Sequence, residues 1–89
     1  MEKLMHMYMH AIREEKEAFW DYIDLIDCEV HKERRSIWYA IAADELQHFA
    51  KLKDTIWSNM ESHTEMEKAF FDSLHSEYEK MKKCLEKRK

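Results

Sequence analysis

Cys28-Glu29-Val30-His31-Lys32-Glu33-Arg34-Arg35 is the stretch on which the architecture turns. On either side of it apolar residues recur three and four apart, the helical period, but within it the apolar stripe thins and charge concentrates. No strong helix breaker stands there. Read as continuous helix, the stretch joins its flanks into a rod of about 60 residues and about 90 Å, which could not bury its aromatic side chains without a partner. Read as a turn near residues 28–32, it folds the rod back on itself as an antiparallel hairpin. The hairpin is the reading adopted.

Working outward, the upstream stripe runs Leu4, Tyr8, Ala11, Glu15, Ala18 with Phe19, Tyr22 and Ile26. The downstream stripe runs Ile37 with Trp38, Ile41, Glu45, His48, Leu52 and Ile56. Each carries a carboxylate at a position that periodicity assigns to the core. A third stripe, Met66, Phe70 with Phe71, Leu74, Tyr78, Met81 and Leu85, is uninterrupted by acids. Ser62-His63-Thr64-Glu65 precedes it and has capping-box form, a hydroxyl followed three residues later by Glu, so a third helix is expected from near residue 63. The expected fold is all-α: one domain over residues 1–89, an antiparallel two-helix hairpin plus a C-terminal helix.

Composition narrows the function classes. A chain of 89 residues suits one domain. Glycine and proline are absent, which removes the residues suited to tight hairpin turns, phosphate-cradling loops and left-handed backbone. That argues against a sheet-rich fold, a P-loop and a dinucleotide fingerprint. Lys+Arg 15 against Asp+Glu 19 gives a net charge of −4 with no sustained basic face, so a dedicated nucleic-acid binder is not expected. No run of about 18 apolar residues is present to span a membrane. The N-terminus shows no positive-then-apolar signal pattern, so the expected compartment is the cytoplasm. Cys28 and Cys84 are too few and too far apart for a disulfide framework, and both are expected reduced.

The two striped acids define the chemistry. With the turn centred on residue 30, Glu15 and Glu45 lie at the same height on opposite arms, each about 22 Å from the tip by helical rise. His48, three residues beyond Glu45, projects from the same face. Desolvating two carboxylates and an imidazole without compensation costs several kcal/mol, so a core placement demands neutralising protons or a cation. A metal ion meets that demand, and oxygen and imidazole donors without thiolate suit iron(II), manganese(II) or zinc(II). Ferritin-like carboxylate sites use a Glu from each of two helices and a Glu-x-x-His from each of the other two, facing the interior of a four-helix bundle. This chain holds half that set, so two copies about a two-fold axis complete it. The bland alternative is a phase one face off, with all three side chains in solvent.

The segment Glu14-Glu15-Lys16-Glu17-Ala18 with Trp20 and Tyr22, followed thirty residues after Glu15 by Asp44-Glu45-Leu46-Gln47-His48, resembles the encapsulated ferritin family over about residues 8–60. What the resemblance implies is a ring-like homo-oligomer of dimers, with each dimer forming a ferritin-like four-helix bundle. It also implies a di-iron site between subunits and ferroxidase activity, oxidation of Fe(II) to Fe(III) by dioxygen in iron storage or detoxification. On that basis Glu15 is expected as a terminal ligand, Glu45 as a bridging ligand and His48 as a nitrogen ligand. Glu14 and Glu17 match acidic positions that attract incoming metal, a site open to other divalent metals, and Tyr22 matches a tyrosine beside the centre. Members that travel inside an encapsulin shell carry Gly-Ser-Leu motifs in a C-terminal tail, and these residues hold no glycine; a shell partner is therefore left open, and storage is less expected than oxidation.

Two other function classes compete: a non-enzymatic helical scaffold that oligomerises through its aromatic stripes, and a metal buffer or sensor that binds the same ions without turnover. Further motifs read more plainly. His6 and His10 have metal-pair spacing in a Met-rich run but are expected as solvated histidines. Asp72-x-x-His75 has similar spacing on the polar side of its stripe. Trp20, Trp38 and Trp57 are expected to pack between helices and subunits. Lys80, Lys82, Lys83, Lys87, Arg88 and Lys89 complement the negative end of a helix dipole.

Overall fold

In the computed structural model, residues 2–60 and 63–89 are described, and they form three helices and no strand. Helix α1 spans Glu2–Cys28, α2 Lys32–Ser58 and α3 Glu65–Glu86. The two 27-residue helices are each about 40 Å long at 1.5 Å per residue, and they lie antiparallel. Their register is fixed by two cross-pairs, Glu15 with His48 and Tyr22 with Trp38. Among the described residues no helix is long and apolar enough to cross a membrane.

The turn falls at residues 29–31, and its chemistry replaces the missing glycine. Glu29 Nα–H donates to the Leu25 carbonyl at 2.9 Å, closing α1. Its carboxylate then accepts the His31 backbone N–H at 3.3 Å and the Trp38 indole N–H at 3.2 Å. The indole hydrogen bond holds the Glu29 carboxyl below its ordinary pKa. One side chain thus ties the loop to the first turns of α2. At the far end Asn59 closes α2 through its side-chain amide, which donates to the Thr55 carbonyl at 2.8 Å.

Helix α3 runs parallel to α1 and packs chiefly on α2. Lys16 pairs with Glu77 at 3.3 Å, and Arg88 makes a double 2.7 Å contact with Asp27, so α3 ends beside the hairpin tip. Its start corrects the expected cap. Thr64, not Ser62, is the N-cap: Thr64 Oγ1 accepts from Glu67 N–H at 3.2 Å, and Glu67 accepts from Thr64 N–H at 2.8 Å. Ser62 lies outside the described residues. His63 takes the left-handed backbone, φ 46°, that composition had argued against. Histidine tolerates that region better than most residues, and its ring stacks on Trp57 at 4.0 Å.

The core also departs from the expected stripes. Ile12, Phe19, Ile23 and Ile26 of α1 meet Ala42, Leu46, Phe49 and Ile56 of α2, with Met60 and with Met81 and Leu85 of α3. Phe19 and Ile26 in α1, Ile56 in α2, and Met81 and Leu85 in α3 are shared with the expectation. The other expected positions are half-buried or exposed, and Met66 is 83% exposed. The reason is that α1 and α2 each carry two adjacent apolar faces, and among the described residues only one of them is packed.

Candidate metal centre

Glu15 at the middle of α1 faces Glu45 and His48 of α2 across the hairpin seam. His48 Nδ1 lies 3.4 Å from Glu15 Oε2 and 4.0 Å from Glu45 Oε2. One ligand atom from each residue falls within 4.8 Å of the other two. Bonds of about 2.0–2.2 Å from an ion to oxygen and nitrogen set neighbouring ligand atoms about 3–4 Å apart, so the 3.4 and 4.0 Å separations match a shared cation and a separation as wide as 4.8 Å would have to close on it. Among the described residues this is the one group of three His, Cys, Asp or Glu side chains close enough to do so.

Its electrostatics are those of a site short of positive charge. Burial pushes the Glu45 carboxyl up to about 7, the neighbouring Glu15 carboxyl adds to the shift, and His48 opposes it. Glu15 Oε2 is buried and accepts no hydrogen bond among the described residues, although His48 stands within ion-pair distance. A buried carboxylate oxygen calls for a partner: either the proton of Glu45, whose hydrogen bond to Glu15 helps raise the Glu45 carboxyl, or a cation that displaces that proton.

The depth of the triad corrects the expected core placement. The side chains of Glu15 and Glu45 are 27% and 19% exposed, and that of His48 is 52% exposed. They sit at the rim of the seam, rotated about one face from the packed core. Residues at i±3, i±4 and i±7 from them continue that rim. Ala11, Ala18, Tyr22, Ile41 and Leu52 are half-buried there, and Leu4, Met7, Leu25 and Ile37 are exposed. Helix α3 lies on the other side of the hairpin, where it meets Lys16, Asp27 and Trp57. The triad is thus set in an apolar face that no other element among the described residues covers.

No family model, curated protein or solved structure matches this chain.

The remaining expected residues fall outside the cluster. Glu14 is exposed and pairs with His10 Nε2 at 2.7 Å, and Glu17 is exposed. Both lie within a turn of Glu15 in sequence, but residues one and two apart on a helix do not share a face, so neither joins the cluster. His6 and Asp72 are exposed, while His75 pairs with Glu79 at 3.7 Å beside the Phe71 and Tyr78 rings. Tyr22 lies two turns from Glu15 on the same face, its ring 6.1 Å from Trp38. Sequence reasoning missed Lys53, which is buried with its ammonium 4.9 Å from the Phe71 centroid and 5.6 Å from that of Tyr78. Its position four after Phe49 and three before Ile56, on the true core phase, was the available signal.

Proposed function

We propose that this chain is a ferroxidase of the half-ferritin type, whose active form is a dimer joined through the open hairpin face. Two copies about a two-fold axis complete an antiparallel four-helix bundle and double the Glu15, Glu45 and His48 set. The single observation that carries the reading is the position of the triad, with an orphaned carboxylate oxygen, at the centre of an uncovered apolar face. A partner copy would exclude water there and supply the ligands one copy lacks.

Fe(II) is the substrate and dioxygen the electron acceptor. Two carboxylates from each copy balance the charge of two ferrous ions. The higher charge of Fe(III) interacts more strongly with the same anionic oxygens, which favours the oxidised product, and His48 sustains affinity for the ferrous form. When two ferrous ions each lose one electron, dioxygen gains both and leaves with two protons as hydrogen peroxide. Glu14 and Glu17 would draw cations, iron or other divalent metals, to the seam. The compartment that goes with this chemistry is the reducing cytoplasm, with or without an encapsulin shell, and the dimers would close into a ring.

The test is Fe(II)-dependent oxygen uptake by the purified oligomer. Glu45→Ala and His48→Ala should each cut the initial rate at least about tenfold, since each removes a ligand from both halves. Variants that keep the parental rate defeat the assignment. Stoichiometric metal binding without oxygen uptake would mark a buffer or sensor, and an oligomer that takes up no metal would mark a scaffold.

A further inference from the structure

We infer that the hairpin tip carries a second, anion-binding site, a cleft that takes a small phosphomonoester with an apolar or aromatic body. The cleft has a volume of about 660 Å³ and lies between the first two turns of α2 and the end of α3. Lys32 and Arg35 reach it from α2, and Arg88 and Lys89 from the residues that follow α3. Four cations therefore line one concavity on a chain whose net charge is −4. Asp27 is the acid at its edge, and it is already neutralised by the double contact with Arg88.

The remaining positive charge has no acidic partner among the described residues: no ion pair within 4 Å involves Lys32, Arg35 or Lys89. Arg88 is held rigid by Asp27 on one side and by the Cys84 carbonyl and sulfur, at 2.8 and 3.0 Å, on the other. Its charge and all but one of its N–H donors are spent on those partners, so Arg88 shapes the wall of the cleft and the anion is left to Lys32, Arg35 and Lys89. The N-cap of α2, His31, makes no side-chain cap, so first-turn N–H groups stay open at this end of the helix, although Glu33 in the same turn offsets part of the dipole. Tyr39 and Ile26 supply an apolar wall. A bare phosphate would fill a small part of a space in the range of organic-ligand sites, about 300–1,000 Å³, whereas a mononucleotide-sized molecule can use both the cations and the wall.

The cleft is distinct from the metal centre in place and in consequence. It opens on the α3 side of the hairpin, while the triad faces the opposite side. Dimerisation through the triad face leaves it accessible, and its occupancy does not depend on whether the chain oxidises iron.

The experiment is calorimetric titration of the purified chain, in chelator, with adenosine 5′-monophosphate, adenosine and inorganic phosphate. The monophosphate should bind saturably, one per chain, and weaken at high salt. Adenosine and inorganic phosphate should each bind at least about tenfold more weakly, because each lacks one half of the recognition. Arg35→Ala and Lys32→Ala, at exposed positions that leave the core intact, should each weaken the monophosphate about tenfold, while Lys51→Ala elsewhere on α2 should not. Absence of saturable binding overturns the site. So does equal affinity for inorganic phosphate, or binding unaffected by the Arg35 and Lys32 substitutions.

Discussion

The Glu45 carboxyl releases its proton only at about pH 7, because burial and the facing Glu15 carboxyl both disfavour its charge. The sign of the consequence follows from comparison with an ordinary glutamate at 4.5. Between those values the folded chain holds a proton that the unfolded chain has lost, so stability falls as pH rises through this window and levels off above it. In chelator, the urea midpoint should therefore drop between about pH 5 and about pH 8, and Glu45→Gln should flatten that slope. A cation competes with the same proton, so manganese(II) or zinc(II) affinity should climb through about 7 in a calorimetric series. Lys53 obeys the opposite electrostatics. Its buried ammonium is accommodated by the negative faces of Phe71 and Tyr78 and by Asp54 at 2.9 Å. Lys53→Met should change unfolding free energy by no more than about 1 kcal/mol, since the long apolar stem is kept. Lys53→Glu, which sets an unpaired anion against the same ring faces, should cost about 3 kcal/mol in denaturant melts.

At the scale of the elements, a chain without glycine or proline ends its helices with side chains. Glu29 closes the hairpin turn, Asn59 ends α2, and Thr64 with Glu67 begins α3. Thr64→Ala should lower stability by about 1 kcal/mol in thermal or urea melts, the usual worth of an N-cap hydroxyl, and a silent substitution would mean that α3 is held by packing alone. The turn at residues 29–31 was legible as a thinning of the apolar stripe, and the third helix as a stripe of its own. What a linear reading could not supply was the choice between two hydroxyls two residues apart. Ser62 and Thr64 both have Glu three positions on, and the cap goes to the one from which α3 can lie along α2 with Phe71 against Trp57.

At the scale of the whole molecule, the hairpin has two apolar sides and α3 covers one. Ile37, 53% exposed on the uncovered side, makes the proposed dimer testable without touching a ligand. Ile37→Lys should leave helical content and monomer stability within about 0.5 kcal/mol of the parent, yet shift the species seen by analytical ultracentrifugation toward monomer. It should also lower Fe(II)-dependent oxygen uptake in proportion. A monomer that oxidises iron at the parental rate would separate the chemistry from dimerisation.

Helical period, the break near residue 30 and the matched heights of Glu15, Glu45 and His48 were determined by the sequence, because rise per residue and side-chain direction are local properties of an α-helix. Which apolar face turns inward was not, because Leu4, Ala11 and Ile41 repeat with the same period as Ile12, Phe19 and Phe49. Only the tertiary structure decided that, by placing α3 against one side of the hairpin. The acids were thereby left at the rim, half-desolvated and short of a positive charge, where local spacing had put them in the core. The same packing drew Arg88 to Asp27 across 61 positions of chain and so assembled the basic cleft, a juxtaposition without a signature in the linear order of residues.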